Sequence, residues 1–402
     1  MLIYLILFVV TVAVVFFEHL LTHGGWLLPN LHILRVEHGV QLGHLVLTLP
    51  HNPMSAGIAQ NWSRLLDMVL WLLAAPVAMI VGWHQALVWA GMMLGPLSLG
   101  MVVVALFWAV ESFIFRRHAW LLLITTIIPV MNLPLAPAML EGQVLPLMAL
   151  LALMCGGVVR ALRERVGFAF IAGIAGGFAV WLTPLALPFV ALAYGGLVLR
   201  WFYAPNATCL LAMAAGIFDV LCLGFFVDPP LGGYGVEAFS RLSYVYVAMA
   251  GVLLASAACL PRLQKHLKTG RGFVGALVIA VPLCVLVLVF PGVMRAVLLP
   301  IGLTYSAALC FGVMGIVYAF LFVRKAYETK HYGEDQFLKL PAQALVAWLY
   351  LLFCTAATTL LSLYYGLFGL VASLLSVGLI FVVGSQIYAS TLRRFNAGGT
   401  WQ

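Results

Sequence analysis

The sequence predicts an all-α polytopic membrane protein, and three observations carry that prediction. Of the 402 residues, 65% are hydrophobic and only 8% are charged, with a mean hydropathy of +1.13; a soluble domain carries about 25% charged residues. Apolar runs close to the ~20 residues needed to cross a bilayer recur along the whole length. No series of short alternating strands points to a β-barrel. The clear runs are 2–17, 86–112, 119–137, 143–159, 166–182, 184–199, 207–227, 243–260, 273–290, 297–323, 341–362 and 365–388, which gives about twelve transmembrane helices. They form a single transmembrane domain over 1–402. It comprises a long outer loop with interfacial helices (18–85), a helical bundle (86–388) and a tail (389–402).

The first run, Leu2 to Phe17, has no basic flank beyond the amino terminus and no small-residue cleavage site, and reads as a retained anchor. The stretch from Glu18 to Asp67 is the one long segment outside the apolar runs, and it carries six of the ten histidines. Met68 to Gly82 is apolar but short and contains Pro76, which fits a re-entrant or interfacial segment better than a full span. Charge decides its treatment. If 68–82 does not cross and the amino terminus is cytoplasmic, all but four of the 20 basic residues fall on the cytoplasmic side. If it crosses, the bias inverts, against the positive-inside rule. Both termini are then cytoplasmic, and the four outward exceptions are Arg35, Arg64, Arg241 and Arg295. They are not needed to hold topology, which makes them candidates for function.

Run 119–137 contains Pro129, Pro134 and Pro137 and is expected to kink before Glu141. Gly173, Gly176 and Gly177 permit close helix contact. The seven cysteines all fall inside apolar runs, as packing residues rather than a disulfide or metal framework. The net charge of +8 lies in short loops between spans, where it orients the chain in the membrane. Nothing indicates nucleic acid.

Several groups could carry chemistry. His19 and His23 are spaced i, i+4, which puts both imidazoles on one helix face, as a divalent metal ion would need; interfacial histidines at a helix end are the plainer alternative. Arg35 with Glu37 and His38 offers a phosphate ligand and a proton acceptor, or a salt-bridged surface helix. Arg64 and Asp67 are i, i+3 and can pair on a helix beneath an interfacial Trp62. After span 207–227, Asp228-Pro229-Pro230 reads as a rigid turn. Ser240-Arg241-Leu242-Ser243 then opens the next helix with hydroxyls and a fixed cation, a setting that favours an anion. Asp219 within a span and Glu111 near a span end are acids at membrane depth, candidates for a proton path or for polar helix packing.

The arrangement of one span, a long outer loop and a many-helix bundle resembles the GT-C class of membrane glycosyltransferases. More narrowly, Asn30 to Val36 and Asn61-Trp62-Ser63-Arg64-Leu65-Leu66-Asp67 are similar to two loop motifs of a bacterial branch, N-D-D-x-x-R-L and H-W-S-R-L-x-D. Phe239-Ser240-Arg241-Leu242-Ser243 and Phe290-Pro291-Gly292 resemble its D-R-L-S and F-P-G segments, and the likeness extends over roughly residues 1–300. Leu31 and His32 stand where the branch has its acidic pair, Thr183 replaces an acid, and Ser240 replaces the aspartate of D-R-L-S.

The resemblance implies a bacterial inner-membrane enzyme that transfers a sugar from a polyprenyl-phosphate donor to a periplasmic glycan or lipid acceptor. Glu37, then His32, then Glu141 are the candidate bases. Arg241 and Arg295 would hold the leaving phosphate, with Ser240 beside them, and Arg35, Arg64 and Asp67 would shape the loop. The lost acids also fit a non-catalytic relative that binds lipid-linked glycan or assists an enzyme partner. A proton-coupled transporter built on Asp219 and Glu111 is the remaining alternative. Reporter fusions at positions 84 and 117 test the topology: an outward signal at 84 with a cytoplasmic one at 117 is expected, and a cytoplasmic signal at 84 would overturn the re-entrant segment.

Overall fold

A computed structural model describes residues 2–23, 31–43, 63–111, 144–163, 166–203, 207–230, 232–266 and 271–293. Its helices, in chain order, are α1 (Leu2–His23), α2 (Leu31–Leu42), α3 (Leu65–Val81), α4 (Trp83–Val110), α5 (Val144–Arg163), α6 (Gly167–Leu182), α7 (Leu187–Tyr203), α8 (Thr208–Val227), α9 (Tyr244–His266) and α10 (Arg271–Val289). A short 3₁₀ turn, Pro184–Ala186, joins α6 to α7. Within the described residues the helices follow the apolar runs closely, because each run is long enough to satisfy its own backbone in an apolar medium. Four of them are long and apolar enough to cross a membrane: Trp83–Ala109, Val144–Leu162, Thr208–Val227 and Tyr244–Leu263. The runs 119–137, 297–323, 341–362 and 365–388 lie outside the described residues. Two boundaries differ from the sequence expectation. The first helix continues through Glu18 to His23, so these six residues extend α1 rather than open a loop, and α3 begins at Leu65 rather than Met68.

Side-chain neighbours fix the relative directions. Phe8 and Val12 lie against Gly100, and Tyr4 meets Phe107, so α1 runs antiparallel to α4. Gly156 meets Trp108, and Gly157 meets Phe168 and Ala172, which places the ends of α4 and α5 beside the start of α6. Gly173 touches Met213, and Gly224 touches Trp181, so α6 and α8 run side by side in the same direction. The bundle therefore has one end that carries Asp228 and an opposite end that carries Glu111.

Both ends of α3 lie at the Asp228 end. Arg64, just before α3, binds Asp228 there, and Gly82 (φ 85°) turns the chain at once into the first residue of α4. Glycine suits this turn because a side chain at positive φ would be strained. A 17-residue helix is about 25 Å long, which is too short to cross and return. It packs along the start of α4 through Leu66, Leu70 and Ala74, with Leu72, Met79 and Ile80 largely exposed.

The centre of the bundle is held by close backbone approach. A β-carbon on Gly173 would stand 2.2 Å from the Met213 carbonyl oxygen, and one on Gly216 would stand 2.6 Å from that of Phe170. Gly195 has open space around its Cα. Without a hydrophobic difference between helix and lipid, such contacts supply van der Waals packing that larger residues would forbid. Gly173→Leu and Gly216→Leu are each expected to destabilise the detergent-solubilised protein by ~3 kcal/mol or more, whereas Gly195→Ala is expected to be neutral to slightly stabilising; thermal unfolding with size-exclusion profiles checks both.

Candidate functional site

The site grows from one carboxylate. Asp228 closes α8, its backbone N–H still bound to the Gly224 carbonyl at 2.7 Å, and its side chain is only 1% exposed. An ionised carboxylate buried that deeply requires cationic or hydrogen-bonding partners. Its Oδ1 accepts from Arg64 Nε at 2.8 Å and from Arg241 Nη2. Its Oδ2 accepts from the Arg64 backbone N–H at 2.8 Å, Trp181 Nε1 at 3.2 Å and Ser63 Oγ at 3.3 Å. Five donors thus converge from three places: the segment before α3, the end of α6, and the loop before α9.

This carboxylate also does the work of a helix cap. The first N–H groups of a helix lack partners within it, and the N-terminus favours negative charge. At α3, Asp228 takes the N–H of Arg64, while Ser63 Oγ takes that of Leu65 at 3.1 Å. At the same time Asp228 sits at the C-terminus of α8, where the helix dipole disfavours an anion. The two guanidinium groups outweigh that cost.

A second ion pair lies alongside. Arg35 of α2 and Asp67 in the first turn of α3 are each 1% exposed and bind one another, and Arg35 Nη2 also donates to the Ser63 carbonyl at 3.1 Å. Among the described residues the network holds three arginines against two aspartates. Arg241 carries the surplus most visibly. It is 2% exposed, Nη2 is shared between Asp228 and the Pro229 carbonyl (3.2 Å), and its Nε–H and Nη1–H groups have no acceptor among the described residues. Burial pushes its guanidinium below the ordinary arginine value; Asp228 opposes that shift, and Arg64 and Arg35 add to it.

The sequence candidates distribute as follows. Arg35, Arg64, Asp67 and Arg241 come together. Ser240 is exposed beside the buried Arg241. Glu37 lies two residues from Arg35 on α2, a spacing that places the two on different faces. Its Oε1 meets His84 Nδ1 at the start of α4 (2.9 Å) rather than the arginine network. His32 lies on α2, and His19 and His23 lie on α1, but their side chains fall outside the description, as do Glu141 and Arg295 entirely. Among the described residues, no group of three or more His, Cys, Asp or Glu could hold a metal ion. The two late motif segments meet: a β-carbon at Gly292 would stand 2.3 Å from the Phe239 ring, and Tyr244 packs edge-on against Phe290 at 6.1 Å.

Three members of the network are not among the site residues the sequence suggests: Asp228, Trp181 and Ser63, the last of them named only within the Asn61–Asp67 motif. Asp228 was read as part of a turn. The available signal was charge, since an acid at the end of a span on the side that holds unneeded arginines is their natural partner. The acid at depth near the other end also has a structural place. Glu111 Oε2 accepts from Tyr4 Oη and from Arg160 Nη2 at 2.7 Å, and the Arg160 guanidinium lies 4.9 Å from the Trp108 ring centre. Asp219 is exposed on α8.

No family model matches the chain, and no curated protein does. Solved structures do match. The archaeal oligosaccharyltransferase of Archaeoglobus fulgidus in its apo form aligns at 13% identity with a TM-score of 0.68, over 99% of this chain and 52% of that one. The same enzyme tethered to an acceptor peptide containing the NVT sequon aligns at 12% identity and 0.65, over 99% and 51%. AglB from that organism, in complex with an inhibitory peptide and a dolichol-phosphate, aligns at 15% identity and 0.62, over 92% and 48%. This chain thus spans about half the length of the structures it matches. The likeness is one of fold, a GT-C-like helical bundle, and four of the described helices are long and apolar enough to cross a membrane.

Removing one partner of a buried ion pair leaves the other charge uncompensated. Arg35→Gln or Asp67→Asn is expected to cost about 3–5 kcal/mol, and the double variant Arg35→Met/Asp67→Leu less than either. Chemical denaturation of the three variants in detergent checks the order.

Proposed function

We propose that the chain is a GT-C-like glycosyltransferase that transfers a sugar from a polyprenyl-phosphate donor to a glycan or lipid acceptor at the outer face of a bacterial inner membrane, with both termini cytoplasmic. The observation that carries this reading is the buried arginine network at one end of a GT-C-like bundle, with donors of Arg241 left for an anion. A dolichol-phosphate bound to one of the oligosaccharyltransferases of similar fold lends it support. In this reading α3 lies in the outer leaflet, and the Asp228 end faces outward.

The chemistry follows from the charge. The acceptor hydroxyl attacks the anomeric carbon on the face opposite the phosphate. The bond from that carbon to the phosphate oxygen breaks, the configuration inverts, and the lipid phosphate leaves with the bonding electrons. Arg241, with Arg295, stabilises the charge that develops on the leaving phosphate; arginine's planar fork matches phosphate oxygens. Arg64, Arg35 and Asp67 hold the loop. The acceptor's proton goes to a base, for which Glu37 is the first candidate, then His32 and Glu141. Asp67 and Asp228 are already engaged by guanidinium groups, so neither is offered as the base. His19 and His23, one turn apart at the end of α1 that reaches the Asp228 end, are the pair proposed for a divalent ion. A second reading draws on the same engagement: with both carboxylates of the network committed to arginines, the chain fits a relative that binds lipid-linked glycan, or assists an enzyme partner, without turnover.

Purified protein in lipid nanodiscs, supplied with polyprenyl-phosphate sugars, separates the two. For the enzyme, Arg241→Gln is expected to lower kcat/KM about a hundredfold, and Glu37→Gln to abolish transfer while donor binding persists. Donor binding by the wild type with no transfer to any acceptor would establish the non-catalytic relative.

A further inference from the structure

Asp228 and Arg241 present a contrast that phosphate binding alone does not explain. The carboxylate accepts from five donors, whereas the guanidinium beside it, equally buried, keeps Nε–H and Nη1–H without an acceptor among the described residues. Unsatisfied buried donors are costly and uncommon. Every partner of Asp228 other than Arg241 comes from a different element: Ser63 and Arg64 from the start of α3, and Trp181 from α6. The carboxylate is therefore fixed by groups that do not depend on Arg241. It in turn grips Arg241 by a single nitrogen, and the Pro229 carbonyl takes the same nitrogen at 3.2 Å. The remaining donors are held in one orientation, with no acceptor among the described residues.

We infer that Asp228 is a positioning residue: it locks the guanidinium groups of Arg64 and Arg241 into one constellation, so that the free Nε–H and Nη1–H donors of Arg241 meet a lipid phosphate already oriented. The inference rests on the lipid-phosphate reading above. It has a counterintuitive consequence. Asp228 is an anion beside the place where an anion binds, so charge alone predicts that neutralising it strengthens phosphate binding. Positioning predicts the opposite. Asn cannot replace it, because all five partner atoms are donors and the amide NH₂ of Asn would face some of them.

The test measures binding of farnesyl phosphate, with farnesol as the uncharged control, to the full-length protein in nanodiscs, alongside thermal unfolding. Asp228→Asn is expected to bind farnesyl phosphate about tenfold more weakly than wild type or worse, and Asp228→Glu to recover part of the loss because it keeps the charge. Trp181→Phe removes one donor to Asp228 and leaves every charge in place. It is expected to weaken binding about threefold with an unfolding temperature close to wild type, and it carries the test should Asp228→Asn fail to fold. Equal or tighter binding by a folded Asp228→Asn, or unchanged binding by Trp181→Phe, overturns the positioning role. Failure of the wild type to prefer farnesyl phosphate over farnesol overturns the lipid-phosphate reading itself. If the wild type shows that preference and Arg241→Gln keeps it undiminished, the assignment of Arg241 is overturned.

Discussion

The described structure depends on the burial of one negative charge between two positive ones. Asp228 is 1% exposed, yet it is tied to Arg64 and Arg241 and to neutral donors of α6 and of the α3 approach. Breaking such a pair by removing one partner costs about 3–5 kcal/mol, because the other charge is stranded. The segments that meet here therefore cannot move independently. The start of α3, the end of α6, the end of α8 and the loop before α9 share one carboxylate. The adjoining Arg35–Asp67 pair brings in α2. In a bundle whose helices gain little from leaving lipid for one another, directional polar contacts of this kind set which helix ends meet.

The two ends of the bundle use their polar groups differently. At the Glu111 end, one carboxylate is bound to one guanidinium and one phenol, and the guanidinium is flanked by the Trp108 and Phe168 rings. Among the described residues that cluster pairs one acid with one base. At the Asp228 end, among the described residues, three arginines face two aspartates, and Arg241 keeps donors over. A surplus of buried positive charge does nothing for stability by itself. It fits the proposed arrival of an anion.

Much of the frame was legible in the sequence because a membrane allows few solutions. Apolar length gives the helices, and the glycines at 173 and 177 announce a close contact that the structure places against Met213 and Val220. Three of the arginines were legible too, as charges that the expected topology did not need. Their partners were not. Arg64 and Asp67 suggest a pair within one helical turn, but Arg64 precedes the first turn of α3 and reaches Asp228, while Asp67 reaches Arg35. Local spacing ranks only local partners; burial favours whichever carboxylate can be enclosed with the cation, here 164 residues away. Asp228 itself was masked by Asp-Pro-Pro, whose turn chemistry is a sufficient local account of an aspartate. Glu37 and Arg35 were read as one functional patch from adjacency in sequence, but two residues of helix turn them apart.

That separation bears on where a base can stand. Asp228 already accepts from five donors and Asp67 is bound to Arg35, so the oxygens of both are committed before a substrate arrives. The network that would bind a phosphate therefore removes its own aspartates from proton transfer, and an active enzyme must bring its base from another element. Glu37 meets this condition: it belongs to α2, which Arg35 anchors to the network, and its contact with His84 leaves it partly exposed at the same end of the bundle. One short helix then presents an arginine to the buried network on one side and a carboxylate toward a separate, open side. Phosphate and acceptor would approach from different directions, as inversion at the anomeric carbon requires.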